Sequence, residues 1–259
     1  YGLGAASEYP QCFLNIDKKK EKKRLIEKSL DEINIYLKYL KPKIFFPAGG
    51  TYAIYGKFYN LNRYIAQPSF SQLKNKTNTL KTKIYNIIGG GSIVLKDSKF
   101  AVNQMIDEKN KDFYENFINK IKRSNYYYSK SIQKVNLNKL DQMFIGAKKN
   151  YLRILDNKKK INSKWSIDFK IYKNLEINRK CLIDKEKSNL IKSYNLKNYK
   201  LFSKKIPKLE CHMEYQLFKS LLSGKFPWNT SLSGSTIMYK RNPNKFNVDM
   251  IFSLNFLRV

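Results

Sequence analysis

Ile26, Leu30, Ile33, Leu37 and Leu40 recur at steps of four and three residues. That spacing puts them on one face of a helix. The helix is predicted to run through the Lys-rich stretch to Leu40. Asn15 or Asp17 can cap its start, and Pro42 stops it. Ile44, Phe45 and Phe46 form a short, wholly apolar run before Pro47 and predict a buried strand. A helix followed by a buried strand is α/β grammar.

Asn60 to Leu80 is polar, with helix expected near its end. Ile84–Ile88 and Ser92–Lys96 are β-branched runs around Gly89, Gly90 and Gly91, which suit a tight turn between strands. A phosphate-cradling loop would need a following Lys-Ser/Thr and a helix start, and neither is there. Phe113, Phe117 and Ile121 mark a helical face within Asp107–Arg123. Leu137, Leu140, Phe144 and Ala147 mark another within Asn136–Asn162. Trp165, Ile167, Phe169 and Ile171 alternate with Ser166, Asp168 and Lys170, the pattern of a half-buried strand. Asn174–Pro207 reads as surface strand pairs or an insertion. Met213, Leu217 and Leu221 predict a helix over Leu209–Leu222, with Gly224 closing it. Ser235–Tyr239 and Met250–Phe256 read as strands.

The chain has 259 residues, enough for one large domain or two small ones, and 42% of them are hydrophobic, enough for a sizeable core. No apolar run approaches the roughly 18 residues of a membrane span. Lys and Arg number 51 against 20 Asp and Glu, a net charge of +31. That charge invites a reading of non-specific nucleic-acid binding, which two observations weaken. Arginine, whose fork suits phosphate, is confined to seven positions: Arg24, Arg63, Arg123, Arg153, Arg179, Arg241 and Arg258. The lysines come with abundant Asn, Ile, Tyr and Phe, which share AT-rich codons. Genome composition therefore competes with a polyanionic partner as their source. The aromatic, basic run Ser124–Lys130 can stack bases or pack as core.

Cys12, Cys181 and Cys211 are odd in number and widely spaced, which argues against a disulfide framework or a structural zinc site. A reducing, cytoplasmic setting is the expectation. His212 is the single histidine, so a nucleophilic relay could use only this residue, and nothing near it resembles a nucleophile elbow; a multi-histidine metal site cannot be supplied by this chain. Glu210 and Glu214 flank it and are expected on the same helix, facing water.

Two low-charge islands stand out against the lysine background: Lys41–Phe70, rich in Gly and Tyr, and Ser223–Pro243. With the opening GAASEYPQCF, Gly4 to Phe13, they resemble one family. The opening is similar to the G-A-S-G-x-P-x-x-F segment of CMP-N-acetylneuraminic acid hydroxylase and its bacterial relatives. In that family a Lys/Glu-rich helix follows, then an x-P-K-I-x-x-P-x-A-G strand. Lys18–Leu40 and Lys41–Gly50 match these in order, and Tyr64 and Ile65 match a later Tyr-Ile pair. Leu221, Leu222, Trp228, Asn229, Arg241, Pro243 and Phe246 match the family's L-L…W-[DN]…R-x-P-x-x-[YF] order. The run from Ile251 corresponds to its closing aromatic strand. The matches cover about a third of the chain, and residues 100–205 match only by length and position.

The resemblance implies an α/β fold, the C-terminal half of an αββα metallo-β-lactamase-like sandwich, occupying residues 1–259 as one partial domain. The N-terminal half would precede Tyr1 and would be this half's partner. The implied activity is that of a metal-dependent hydrolase or hydroxylase acting on an anionic sugar or nucleotide-sugar. The implied substrate contacts are Tyr52, Tyr55 and Asn62 on the first island and Trp228, Asn229 and Arg241 on the second. The complete enzyme would hold zinc or iron, whereas this portion lacks the H-x-H-x-D-H motif and would bind none. The family's loop histidine is also missing from Tyr52–Asn60. Two other readings stand beside it: a non-catalytic, ribosome-associated RNA-binding protein, and a degenerate homologue without activity.

Overall fold

The computed structural model describes residues 9–47, 52–87, 91–96, 99–103, 116–117, 119–122, 124–129, 134–157, 165–197 and 206–259. Helix α1 spans Lys18–Leu40. Asp17 caps it by accepting from the backbone N–H groups of Lys19 and Lys20. Leu25, Leu30, Ile33 and Leu37 are buried along it, and Leu40 is exposed. Strand β1 is only Ile44–Phe45, half-buried, with Phe46 out in solvent. The expected buried strand is therefore shorter and shallower than its apolar run suggested. A 3-10 helix, Gly56–Tyr64, leads to α2, Phe70–Lys76, which starts in a reciprocal capping box between Ser69 and Gln72.

Strand β2, Lys83–Ile84, pairs in parallel with β1. Strand β3, Ser92–Lys96, pairs antiparallel with β4, Lys99–Asn103. The β-branched runs on either side of the glycines thus take different partners. Gly89 and Gly90 themselves lie outside the described residues, as do Gly4–Glu8, Gly49, Gly50 and Phe113.

Helix α3, Leu137–Asn157, buries Leu140, Phe144, Ala147 and Tyr151. The main sheet follows: β5 (Ser166–Tyr172), β6 (Leu190–Lys197), β7 (Lys208–Glu214) and, later, β8 (Met238–Asn242). Their spatial order is β6-β5-β7-β8; β5 and β7 run parallel, and the outer pairs are antiparallel. Between β7 and β8 lie α4, Tyr215–Leu222, and α5, Trp228–Ser233; α6, Val248–Ser253, comes last. The fold is mixed α/β.

Two further segments differ from expectation. Lys208–Glu214 is a central strand, not the first half of a helix. Leu209, Cys211 and Met213 alternate and are all buried, while the helix begins only at Tyr215. Met213 belongs to both spacings, so the strand's last apolar residue extended the helical stripe backwards. Near the C-terminus, Val248–Ser253 is helical because Asn247 caps it, accepting from the Met250 N–H.

One face of the sheet carries the core. Ile167, Phe169 and Ile171 lie beside Leu209, Cys211 and Met213 in register. Phe169 meets Phe218 of α4 at 5.3 Å, Phe144 of α3 at 6.0 Å and Trp228 of α5 at 6.0 Å between ring centroids. A smaller, separate core holds Leu30, Ile33 and Leu37 of α1 against Leu73 of α2.

Gly56 opens the 3-10 helix at φ +65°, and a Cβ there would lie 2.9 Å from the Ser124 carbonyl oxygen. A side chain at that φ costs about 1–2 kcal/mol before the clash is counted. Gly56→Ala should lower the urea midpoint by an amount equivalent to about 2 kcal/mol, with an unchanged denaturant slope.

Candidate functional site

The residues before α1 join the two islands. Gln11, fully buried, donates from Nε2 to the Tyr52 hydroxyl at 2.8 Å. Tyr9 meets the Tyr52 ring edge-on at 6.4 Å. On the other side, Phe13 forms a bridge to Tyr239 of β8, and the Leu14 N–H donates to the Tyr239 carbonyl at 2.7 Å. Asn15 clasps the Arg241 backbone, accepting from its N–H at 3.2 Å and donating to its carbonyl at 2.7 Å. The Arg241 guanidinium lies over the Phe13 ring, 4.1 Å from the centroid.

Tyr52 and Asn62 line one cleft of about 580 Å³ together with Lys22, Gln67, Ser69 and Gln72. Asn62 holds its loop rather than facing outward with free polar atoms. Its Oδ1 accepts from the Ile54 N–H at 2.7 Å, and its Nδ2 donates to the Ile54 and Tyr59 carbonyls at 2.6 and 2.8 Å. Burial raises the Tyr52 phenol pKa, so the hydroxyl is a neutral hydrogen-bond donor at ordinary pH. Lys22 donates to the Arg63 carbonyl at 2.9 Å and brings a positive charge to the wall. Ile26, Ile65 and Pro68 complete the lining, so the cleft mixes one cation, several hydroxyls and amides, and an apolar wall, as small-molecule clefts do.

The remaining predicted contacts sit elsewhere. Tyr55 packs its ring 5.0 Å from Tyr126 and offers its carbonyl to the Tyr126 hydroxyl at 2.8 Å. Trp228 is core: 4% exposed, with Nε1 donating to the Leu257 carbonyl at 3.2 Å. Asn229 is exposed and accepts from Asn255 Nδ2 at 2.9 Å. Arg241 is 4% exposed, with Nε donating to Asn244 Oδ1 at 2.9 Å. The structure thus brings Tyr52 and Asn62 to one cleft and leaves the other four outside its lining. Gln11, which orients Tyr52, carries no signal in the sequence beyond its place in the opening segment.

His212 lies on β7, not at a helix start. Its Nδ1 is 3.0 Å from the Tyr172 hydroxyl, and its Nε2 is 3.4 Å from Glu210 Oε2 without hydrogen-bond alignment. Burial is the main reason its pKa falls to about 4, so the ring is neutral near pH 7. Glu214 points to a different place, pairing with Lys57 and accepting from the Leu175 N–H at 3.2 Å. Among the described residues no three His, Cys, Asp or Glu side chains gather as metal ligands. Among the described residues no helix is long and apolar enough to cross a membrane. No protein-family model, curated protein or solved structure matches the chain.

Proposed function

We propose that this chain corresponds to the C-terminal part of a metallo-β-lactamase-fold hydrolase or hydroxylase-like enzyme, acting on an anionic sugar or nucleotide-sugar. In this reading its sheet and helices are half of the αββα sandwich. The observation that carries the reading is the junction around Gln11, Phe13 and Asn15. Segments that resemble the family in order, yet lie nearly two hundred residues apart, are tied through it into one unit. The cleft beside it suggests the substrate class. Lys22 would meet the carboxylate or phosphate, Tyr52 would donate to a sugar oxygen, and Gln11 and Asn62 would position Tyr52 and its loop. Metal ligands would come from the other half of the domain.

The test starts with the coding sequence upstream of the Tyr1 codon. An in-frame H-x-H-x-D-H, followed by bound zinc or iron in the joined protein, would support the enzyme reading. An unrelated upstream sequence would overturn it. The cleft is tested by titrating the protein with N-acetylneuraminic acid and its CMP conjugate. Tyr52→Phe, which deletes one hydroxyl, should weaken binding of the preferred ligand by about tenfold, the worth of a hydrogen bond to a charged or strongly polar partner. Unchanged affinity would remove Tyr52 from the site.

A further inference from the structure

A second cleft, sharing no lining residue with the first, has a volume of about 600 Å³. It lies between the 3-10 turn Tyr127–Ser129 and the helices α3 and α4. Three lysines reach its wall from different elements: Lys139 from α3, Lys219 from α4 and Lys225 from the loop beyond α4. Its aromatic members are Tyr127, Tyr128 and Phe226. Their settings differ. Tyr127 is 72% exposed, a large ring held out in water on a short 3-10 turn. Tyr128 is 4% exposed, stacked on Tyr126 at 5.2 Å and 4°, and met edge-on by Phe226 at 6.1 Å.

The Tyr128 hydroxyl is buried and has no hydrogen-bond partner among the described residues. Burial also raises its pKa well above the ordinary phenol value, and its neighbours are Glu214, Tyr126 and Tyr55, so Tyr128 backs the cleft with its ring while its neutral hydroxyl stays inside the protein. The cleft therefore combines an exposed ring at its rim with three cations from separate elements. Bases stack on exposed aromatic rings whatever their sequence, and phosphates follow lysines as point charges.

We propose that this cleft binds single-stranded nucleic acid. A base stacks on Tyr127, and Lys139, Lys219 and Lys225 meet the flanking phosphates. The assignment does not depend on the enzyme reading.

The experiment measures fluorescence anisotropy of a labelled oligouridylate of about 10 nucleotides against the full chain, over a series of salt concentrations. Tyr127→Ala should lower affinity at least about fivefold at every salt concentration, because stacking is not screened. Reversing Lys139, Lys219 and Lys225 to Glu should lower affinity and flatten the logarithmic salt dependence by about two, near 0.7 for each phosphate lost. A control reverses Lys19, Lys20 and Lys38 of α1, all exposed, and so changes the net charge equally. Equal losses from the two triple variants would show that overall charge alone binds the strand, and would overturn the site. So would an unchanged affinity in folded Tyr127→Ala, or no binding by the wild-type protein.

Discussion

Trp165→Ala should lower the unfolding free energy by about 4 kcal/mol, within the usual range for removing a large aromatic from a core. Trp165 is fully buried just before β5, and its Nε1 donates to the Tyr151 hydroxyl at 2.9 Å. That hydroxyl is also 2.9 Å from Ser253 Oγ of α6. The indole thus links the strand, α3 and α6, and its removal opens a cavity and takes a donor from a buried hydroxyl pair. Domains are held by roughly 5–15 kcal/mol, so the variant should be partly unfolded at mild temperature. Trp165→Phe keeps much of the volume and should lose less. Urea unfolding followed by far-UV circular dichroism checks both, and equal stability of wild type and Trp165→Ala would refute the assignment.

Stability should also fall as pH drops from about 6.5 to about 4, and His212 should carry most of that fall. The ring sits between Tyr172 and Lys170 of β5, Glu210 of its own strand and Lys240 of β8. Desolvation is the largest influence on its pKa. Glu210 opposes the drop, and Lys170 and Lys240 add to it, for a folded value of about 4. An unfolded histidine titrates near 6.5. Between those values the unfolded chain binds a proton that the folded chain does not, so stability rises with pH in that window. The gap corresponds to about 3 kcal/mol, fully present above pH 6.5 and lost by pH 4. His212 is the single histidine in the chain, so His212→Gln should flatten urea-midpoint curves between pH 6.5 and 5. A variant that kept the wild-type slope would assign the effect to carboxylates instead.

Much of this architecture can be read from local pattern where one period acts alone. Helix α1 has a capping Asp17, a continuous stripe and a terminating Pro42, and its observed limits follow from them. In β5 the alternation from Trp165 to Ile171 is uninterrupted, and all four residues are fully buried. Pattern misleads where two periods meet, as at Met213, or where composition and capping disagree, as at Asn247–Ser253. In the Ser124–Lys130 run the packing reading holds for two of the three tyrosines. Tyr126 and Tyr128 pack, while Tyr127 faces water.

The candidate site was legible only in part. Tyr52 and Asn62 stood out because a low-charge loop is conspicuous among lysines. Lys22 did not, because one lysine in a basic helix resembles the rest. The grouping of Trp228 with the site was a matter of shared sequence order, whereas its burial against Phe169 depends on sheet register.

The separation of the two cores has a spectroscopic consequence. Trp165 and Trp228, the only tryptophans, both belong to the sheet's core. The cluster of Leu30, Ile33, Leu37 and Leu73 has few buried side chains and contains no indole. Small cores of this kind open at lower free energy than the main one. Tryptophan emission would stay constant through such an opening, while helical ellipticity and amide exchange over the second half of α1 would change. A single smooth fluorescence melt would thus describe the β-sheet half of the molecule and say nothing of the helical annex.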